Sequence, residues 1–209
     1  MKVLCLIGDL VRSREVRDRR DLQGRLERAL GQLNRRRKGL LSPYTITLGD
    51  EFQAVYRRAD TCFQDFWAIR YSIYPVRVRF SVGLGNLTTR INPRSAIGMD
   101  GPAFHLAREG IEALKRVGGD FRAGEPETAG HGWINPALDL LSHASHNWKR
   151  NRLLVLDRLL AGQQAKAIAR ATGLSQAAVY KNIQAGALST VARLCEEIAS
   201  SLNRTLAGK

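Results

Sequence analysis

Two short stretches of the chain carry the residues best suited to metal chemistry. Each is an apolar run that ends on a Gly-Asp pair, with Asp9 closing the first stretch and Asp50 the second. Because an unpaired carboxylate is costly to bury, an aspartate is a poor residue to continue a buried strand. Two carboxylates with open positions between them suit Mg²⁺, which takes few protein ligands and completes its shell with water and phosphate oxygens. The pattern predicts that Asp9 and Asp50 bind Mg²⁺ or Mn²⁺. The alternative is a plain hairpin turn at Asp50 and a helix-entry role for Asp9.

The order of the predicted elements decides whether these two acids can meet. Apolar periodicity predicts strands over 2–8, 44–48, 52–56 and 76–82, and helices over 18–36, 59–72, 103–116 and 135–147. The glycine-rich loop over 118–132 could hold one further short strand around Phe121. The order β-α-β-β-α-β-α indicates an α+β fold, a ferredoxin-like palm with an antiparallel sheet and helices on one face. That topology puts the end of the first strand beside the hairpin between the second and third strands. We therefore expect Asp9 and Asp50 to be neighbours.

From Trp148 onwards the sequence becomes helical and basic. Residues 148–209 hold ten Lys and Arg against three Asp and Glu, so they carry +7 of the total charge of +14. Such an excess of positive charge favours polyanionic partners, either nucleic acid or nucleoside phosphates. We predict two domains, a palm domain over 1–147 and a helical domain over 148–209.

A helix-turn-helix pattern lies within the helical domain, over 164–186. The small residue Ala169 lets two helices cross closely, and Gly173 supplies the positive φ of the turn. Val179 buries the second helix, and Ser175 is a good N-cap for it. A glutamine can pair with adenine in the major groove, and a lysine can reach phosphate or guanine. The pattern predicts contacts to DNA from Ser175, Gln176, Ala177, Tyr180 and Lys181.

The remaining features concern partners and location. The last predicted helix, over 188–202, has an apolar stripe that could serve dimerisation, which operator-binding proteins commonly need. The three cysteines show neither metal-ligand nor disulfide spacing, which fits a reducing cytosol. His143 and His146 lie one turn apart without a third ligand, so no metal site is expected there. No run is long enough for a signal peptide or a membrane span. We expect a cytoplasmic homodimer with no membrane contact.

Several segments taken together resemble a known family. They are residues 6–9 with the Arg-rich residues 13–20, then 45–53, 83–85 and 96–108. On these segments the chain resembles the SatD family of bacterial proteins over nearly its whole length, including the terminal helix-turn-helix. Leu-Gly-Asp-Glu-Phe-Gln and Gly-Met-Asp-Gly-Pro-Ala are the most specific parts of the likeness. The resemblance implies an architecture more than a biochemical activity.

A more distant resemblance is to class III nucleotidyl cyclases and GGDEF-type palms. Those proteins hold two metals on an Asp at the end of strand one and an Asp on the following hairpin, and they close the site across a homodimer. The resemblance implies that Asp9 and Asp50 hold the metal on a nucleoside triphosphate. It also implies a nucleotide- and phosphate-binding set of Gly8, Arg12, Arg14, Gly49, Glu51, Asp100 and Arg108.

One position departs from the cyclase pattern. Cyclases place an asparagine four residues before the arginine that matches Arg108, and here that residue is Phe104. The site therefore either binds a nucleotide without cyclising it or runs different chemistry, and no catalytic residue is assigned. We expect a DNA-binding transcriptional regulator whose palm-like domain binds a nucleotide with Mg²⁺. The alternatives are a nucleotidyl cyclase or nucleotidyltransferase with a helix-turn-helix tail, and a palm kept as a protein-interaction module.

Overall fold

The computed structural model describes residues 1–36, 39–124 and 132–208, which form a mixed α+β fold. Five strands build one sheet: β1 (Lys2–Leu10), β2 (Leu40–Leu48), β3 (Glu51–Tyr56), β4 (Val78–Asn86) and β5 (Phe121–Gly124). The described residues contain eight α-helices: α1 (Arg19–Arg36), α2 (Cys62–Ile73), α3 (Pro102–Val117), α4 (Ile134–Ser145), α5 (Arg150–Leu160), α6 (Ala165–Thr172), α7 (Gln176–Ala185) and α8 (Leu188–Leu206). Within the described ranges, no helix combines the length and the apolar character needed to cross a membrane.

Strand β1 lies at the centre of the sheet, whose order is β2-β3-β1-β4-β5. It pairs antiparallel with β3 on one side and with β4 on the other. Strand β5 adds to β4 in parallel, so the antiparallel sheet that the sequence predicts is limited to the first four strands. The predicted strands and helices are all found, with their ends shifted by a few residues.

Both faces of β1 are buried, because helices cover both sides of the sheet. Leu4 and Leu6 belong to a core with α1 and α2, whereas Cys5 and Ile7 belong to a second core under α3. This arrangement differs from the prediction of helices on one face only. The sequence conceals it, since a strand buried on both faces is a continuous apolar run without alternation.

Glycines at the sheet allow close packing of a helix and a ring. A side chain at Gly83 of β4 would overlap the carbonyl oxygen of Ala103 in α3. A side chain at Gly8 of β1 would overlap the ring of Phe52 on β3. Glycine inside a strand often marks such a close approach. Packing therefore accounts for the glycine that precedes Asp9.

The C-terminal helices share the core of the sheet. The ring of Trp67 in α2 stacks on Trp148, which precedes α5, with 5.7 Å between the centroids. Arg70 of α2 donates from Nη1 to Ser145 Oγ at 2.9 Å. The predicted boundary between residues 147 and 148 falls in the turn between α4 and α5, and the apolar core runs across it.

Helix α8 uses its apolar stripe within the chain. Ile198 and Leu202 are buried in the core that contains β1 and α2. Near the end of α8, Asn203 Oδ1 accepts a hydrogen bond from the Ala59 amide at 2.8 Å, and Lys2 Nζ donates to the Thr205 carbonyl at 3.3 Å. The dimerisation role suggested for this stripe, and the homodimer itself, stay predictions.

A buried acid lies where α2 faces the C-terminal helices. Asp65 accepts hydrogen bonds from the hydroxyls of Tyr56 and Tyr44, the second at 3.4 Å, and its residue is 7% exposed. Burial raises the pKa of Asp65 to about 6, an effect that the tyrosine hydroxyls partly oppose and the nearby Asp157 of α5 reinforces. Burial also raises the pKa of Asp157. A proton on Asp65 therefore favours the folded state.

We expect Asp65→Asn to remove part of the loss of stability that the protein undergoes as the pH rises from about 4 to about 6. The pKa of Asp65 is higher in the folded state than the value of about 4 in an unfolded chain. Its stabilising contribution is therefore full below about pH 4 and is lost as the pH rises through about 6. The free energy of unfolding of the parent minus that of the variant should fall by up to about 3 kcal/mol between those limits. Urea unfolding at a series of pH values measures this, and parallel pH profiles would contradict it.

Candidate functional site

Charged side chains meet where β1, β3 and β4 lie side by side at one end of the sheet. Asp9 is opposite Glu51 on β3 and opposite Arg79 on β4. Side chains that face each other across a strand pair lie on the same face of the sheet. Asp9 Oδ2 accepts a hydrogen bond from Arg79 Nη1 at 2.9 Å, with the two side chains 13% and 18% exposed. These residues lie on the face that α3 covers, in line with Cys5 and Ile7.

Glu51 is the more deeply buried acid of this group, with 8% of its side chain exposed. Arg108 of α3 donates to it from both terminal nitrogens, with Nη2 2.9 Å from Oε1. Thr47 Oγ1 donates to the same oxygen at 3.0 Å. The hydrogen bond that Arg108 donates to Glu51 raises the pKa of Arg108. The structure thus brings together two residues of the predicted phosphate-binding set, as an ion pair with each other.

Asp50 has a different partner from Asp9. Gly49 adopts a φ of 56° in the two-residue hairpin turn, which confirms the predicted turn. Asp50 Oδ2 accepts a hydrogen bond from Ser13 Oγ at 2.6 Å. Asp50 also lines a small cavity with Leu22 of α1, on the other side of the sheet from α3. The hairpin lies beside the end of β1 as expected, but the carboxylates of Asp9 and Asp50 make separate contacts.

Glu51 is therefore the acid that faces Asp9. The alternation of β3 contains the signal for this, because Phe52 packs in the core under α1 and α2. Its neighbour Glu51 must then face α3, as Asp9 does. Three further partners in this region were not predicted from the sequence: Arg79, Thr47 and Ser13. Arg79 could have been found, since it lies in a strand that alternates apolar and basic residues.

The remaining residues of the predicted phosphate-binding set are spread around this end of the sheet. Arg12 is exposed and has a left-handed backbone with a φ of 53°. Arg14 is exposed in a 3-10 turn over residues 13–15. Asp100 accepts hydrogen bonds from the Gly101 amide at 2.7 Å and contacts His105 Nε2 at 2.9 Å, so it supports the start of α3. Of the arginines in the set, Arg108 is the one that contacts Glu51, the acid opposite Asp9.

Phe104 and Cys5 belong to the apolar core that lies next to the site. Phe104 is 8% exposed and packs in the core under α3 with Cys5. The position where cyclases carry a polar asparagine is therefore a packing position here. Burial raises the pKa of the Cys5 thiol, so the thiol stays protonated and unreactive.

The acids offer a limited set of metal ligands. Within the described ranges, no group of three or more His, Cys, Asp and Glu side chains is arranged to hold a metal ion. Asp9 and Glu51 supply two neighbouring carboxylates, which suffices for Mg²⁺ only when water and phosphate complete the shell. Each carboxylate is paired with an arginine, so a metal would have to replace Arg79 or Arg108 as its partner. The donor chemistry fits a metal that arrives with a phosphorylated ligand.

A second candidate surface is formed by α6 and α7. Gly173 ends α6 with a φ of 72°, and its amide donates to the Ala169 carbonyl at 3.1 Å. Ser175 caps α7 by accepting from the Ala178 amide at 3.1 Å. Val179 is fully buried. The predicted DNA-contacting residues are all exposed: Ser175, Gln176, Ala177, Tyr180 and Lys181.

We expect the Glu51–Arg108 pair to be energetically coupled. Arg108→Ala leaves a buried carboxylate with Thr47 as its remaining partner, so the free energy of unfolding should fall by about 1–3 kcal/mol. In the double variant with Glu51→Gln the loss should be smaller than the sum of the two single losses, because no unpaired charge remains. Urea unfolding of the four proteins measures the coupling. Additive losses would contradict it.

The comparison with protein families agrees with the segments described above. A model described as the SatD family matches residues 3–202, from the second residue of β1 to within α8. A search of curated proteins finds no match. The family description names no activity, so the chemistry of the site has to be argued from its residues. Because the match covers nearly the whole sequence, the chain belongs to the SatD family.

Proposed function

We propose that this protein is a DNA-binding transcriptional regulator whose N-terminal α/β unit binds a nucleotide with Mg²⁺ or Mn²⁺. The observation that carries the proposal is the capped helix pair α6–α7. The buried Val179 holds α7 to its neighbours, while Gln176, Tyr180 and Lys181 remain exposed on it. A second helix with this turn and this exposed polar side is what a helix-turn-helix places in the major groove.

The exposed residues of α7 suit the edges of DNA bases. Gln176 and Ala177 belong to the first turn of α7, directly after the Ser175 cap, and the N-terminal residues of a recognition helix contact base edges. Lys181 adds a positive charge, and Tyr180 has 54% of its surface exposed. A large exposed aromatic ring beside a lysine is costly to leave in water and can pack against the sugars and bases of a groove. The charge of +14 supports a polyanionic partner.

The nucleotide part of the proposal is supported by topology. The element order β1-α1-β2-β3-α2-β4 and the sheet order β2-β3-β1-β4 support the ferredoxin-like arrangement that we propose. In the palms that this chain resembles, the metal and the triphosphate lie at the end of the first strand. Asp9, Glu51 and Asp50 all belong to that end of the sheet, with Arg108 directly on Glu51. The homodimer and the location in the cytoplasm are further parts of the proposal.

An enzyme is the alternative, and one observation favours it. Arg108 pairs with Glu51 and is 46% exposed, so it can exchange that partner for a phosphate in a site that already contains acids for a metal. Against cyclisation stands the apolar Phe104, which offers no hydrogen bond to a ribose. A nucleotidyltransferase without that contact is therefore the better form of this alternative.

The regulator proposal predicts salt-dependent DNA binding through α7. We expect Lys181→Gln to weaken binding to every duplex and to reduce the slope of log affinity against log salt by about 1. Gln176→Ala should cost about 1–3 kcal/mol on the preferred sequence and leave random duplex unaffected. Fluorescence anisotropy on genomic fragments at several salt concentrations measures both.

The matched control is Lys115→Gln on α3, which removes the same charge from the opposite face of the sheet and should leave DNA binding unchanged. Binding that is absent, or that does not respond to salt, would contradict the proposal.

The nucleotide proposal predicts metal-dependent binding that needs the acids. We expect Asp9→Asn to weaken the binding of a nucleoside triphosphate with Mg²⁺ or Mn²⁺ by about tenfold or more. Comparing Asp50→Asn with Glu51→Gln shows which hairpin acid takes part.

Calorimetry with each triphosphate, followed by analysis for products, separates the two functions. Binding without turnover supports the regulator, and turnover that Asp50→Asn abolishes supports the enzyme. Absence of metal-dependent binding contradicts both.

A further inference from the structure

Two open clefts adjoin at the edge of the sheet next to Asp9. One has a volume of about 580 Å³ and lies between the loop after β1 and the start of β4. The other has a volume of about 380 Å³ and lies between the end of α3 and α4. Both are lined by Arg77 and Gly118, so the two clefts meet at these residues. We call the two clefts together the arginine groove, after their basic lining residues: Arg12, Arg77, Arg79, Arg122, His143 and His146.

The two central arginines of the groove are held in place. Arg77 donates from Nη2 to Asp120 Oδ1 at 2.5 Å and to the Gly118 carbonyl at 3.2 Å. Arg79 is fixed by its hydrogen bond to Asp9. The Nε atoms of both arginines are buried without a hydrogen-bond partner. Guanidinium groups that are already ordered lose little further freedom when they meet an anion.

The arginines at the two ends of the groove are free to change partner. Arg12 lies 3.9 Å from Glu15, and Arg122 lies 3.9 Å from Asp139, so neither contact is within hydrogen-bond distance. The side chains of Arg12 and Arg122 are 78% and 36% exposed, and exposed ion pairs of this kind contribute little. Both guanidinium groups can therefore turn toward a ligand at low cost.

The groove and its partners have more positive than negative charge. The buried Asp120 is shared between Arg77 and Arg70, at 2.5 and 3.3 Å, so one carboxylate serves two guanidinium groups. The four arginines of the groove and the buried Arg70 are paired with four carboxylates, which leaves one positive charge in excess. His143 and His146 add ring nitrogens that can donate hydrogen bonds at the α4 end. A concave site with these donors suits an anion with several oxygens.

We propose that the arginine groove binds an extended polyphosphate chain, that of a nucleoside polyphosphate. One phosphate would lie near Arg12 and Arg79, and another near Arg122 and His143, with Arg77 between them. Each cleft has the volume of a small-molecule site, which suits a phosphate chain better than duplex DNA. The proposal rests on the proposed function for the nucleoside part, because Arg79 joins the groove to Asp9. It assigns Arg77, Arg79, Arg122, His143 and His146 a role that sequence motifs do not indicate.

Titration calorimetry of the full chain with sodium tripolyphosphate, without added metal, tests the phosphate part. We expect tripolyphosphate to bind at least about tenfold more tightly than orthophosphate, because a single phosphate reaches one end of the groove. Arg12→Gln and Arg122→Gln should each weaken tripolyphosphate by about tenfold. Both residues are exposed, and urea unfolding verifies that the variants remain folded. Arg28→Gln on the outer side of α1 removes an equal charge and should have no effect.

Equal affinity for tripolyphosphate and orthophosphate would overturn the proposed phosphate site. An equal loss of tripolyphosphate affinity in the Arg28 control would do the same. ATP or GTP should displace tripolyphosphate, and failure to do so would overturn the nucleoside assignment. DNA binding separates this proposal from the regulator. Arg12→Gln and Arg122→Gln should keep the DNA affinity of the parent, while Lys181→Gln should keep the tripolyphosphate affinity. A loss of both activities in either set would contradict two independent sites.

Discussion

The central strand of the sheet has no side that faces water, and the rest of the α/β unit follows from that constraint. Residues 3–7 are apolar on both faces, so helices must cover both faces, and each buried aliphatic side chain contributes about 1.5–3 kcal/mol. A charge becomes tolerable in β1 only where the strand ends. Asp9 lies at that point with 13% of its side chain exposed, and it pairs with Arg79 because an unpaired carboxylate there would be costly. The charged end of the sheet is thus a direct result of its apolar middle.

Arginine pairing with buried acids recurs throughout this region. Asp9 pairs with Arg79, Glu51 with Arg108, and Asp120 with two arginines at once. Part of the strongly basic composition is therefore used inside the protein, where it neutralises carboxylates. The positive charge available to a polyanion is the excess over these pairs, carried by the lysines and arginines of the helices and by the arginine groove. The high isoelectric point alone does not separate the charge that pairs with buried acids from the charge that can meet a partner.

The sequence predicts the elements of this fold well and their faces less well. Periodicity located strand 76–82 and helix α1 because each of them places one regular set of apolar side chains in the core shared with α2. Periodicity could not show which face of the sheet α3 covers, because residues 3–7 of β1 are apolar on both faces. Glu51 is predicted as a phosphate ligand, and the alternation of β3 would have shown that it faces Asp9 where Asp50 was expected. Capping was more reliable, because Ser175 and Gly173 act through their own backbone neighbours and need no tertiary information.

The contact between Lys2 and Thr205 has a consequence for how the protein matures. Strand β1 packs in the same core as α8, which is made after the other described elements, and the side chain of Asn203 accepts a hydrogen bond from the loop before α2. The sheet therefore keeps an uncovered apolar patch until α8 has been synthesised. Nascent chains should depend on shielding by the ribosome surface or by chaperones up to that point, and any shortened product that lacks α8 would expose the same patch permanently.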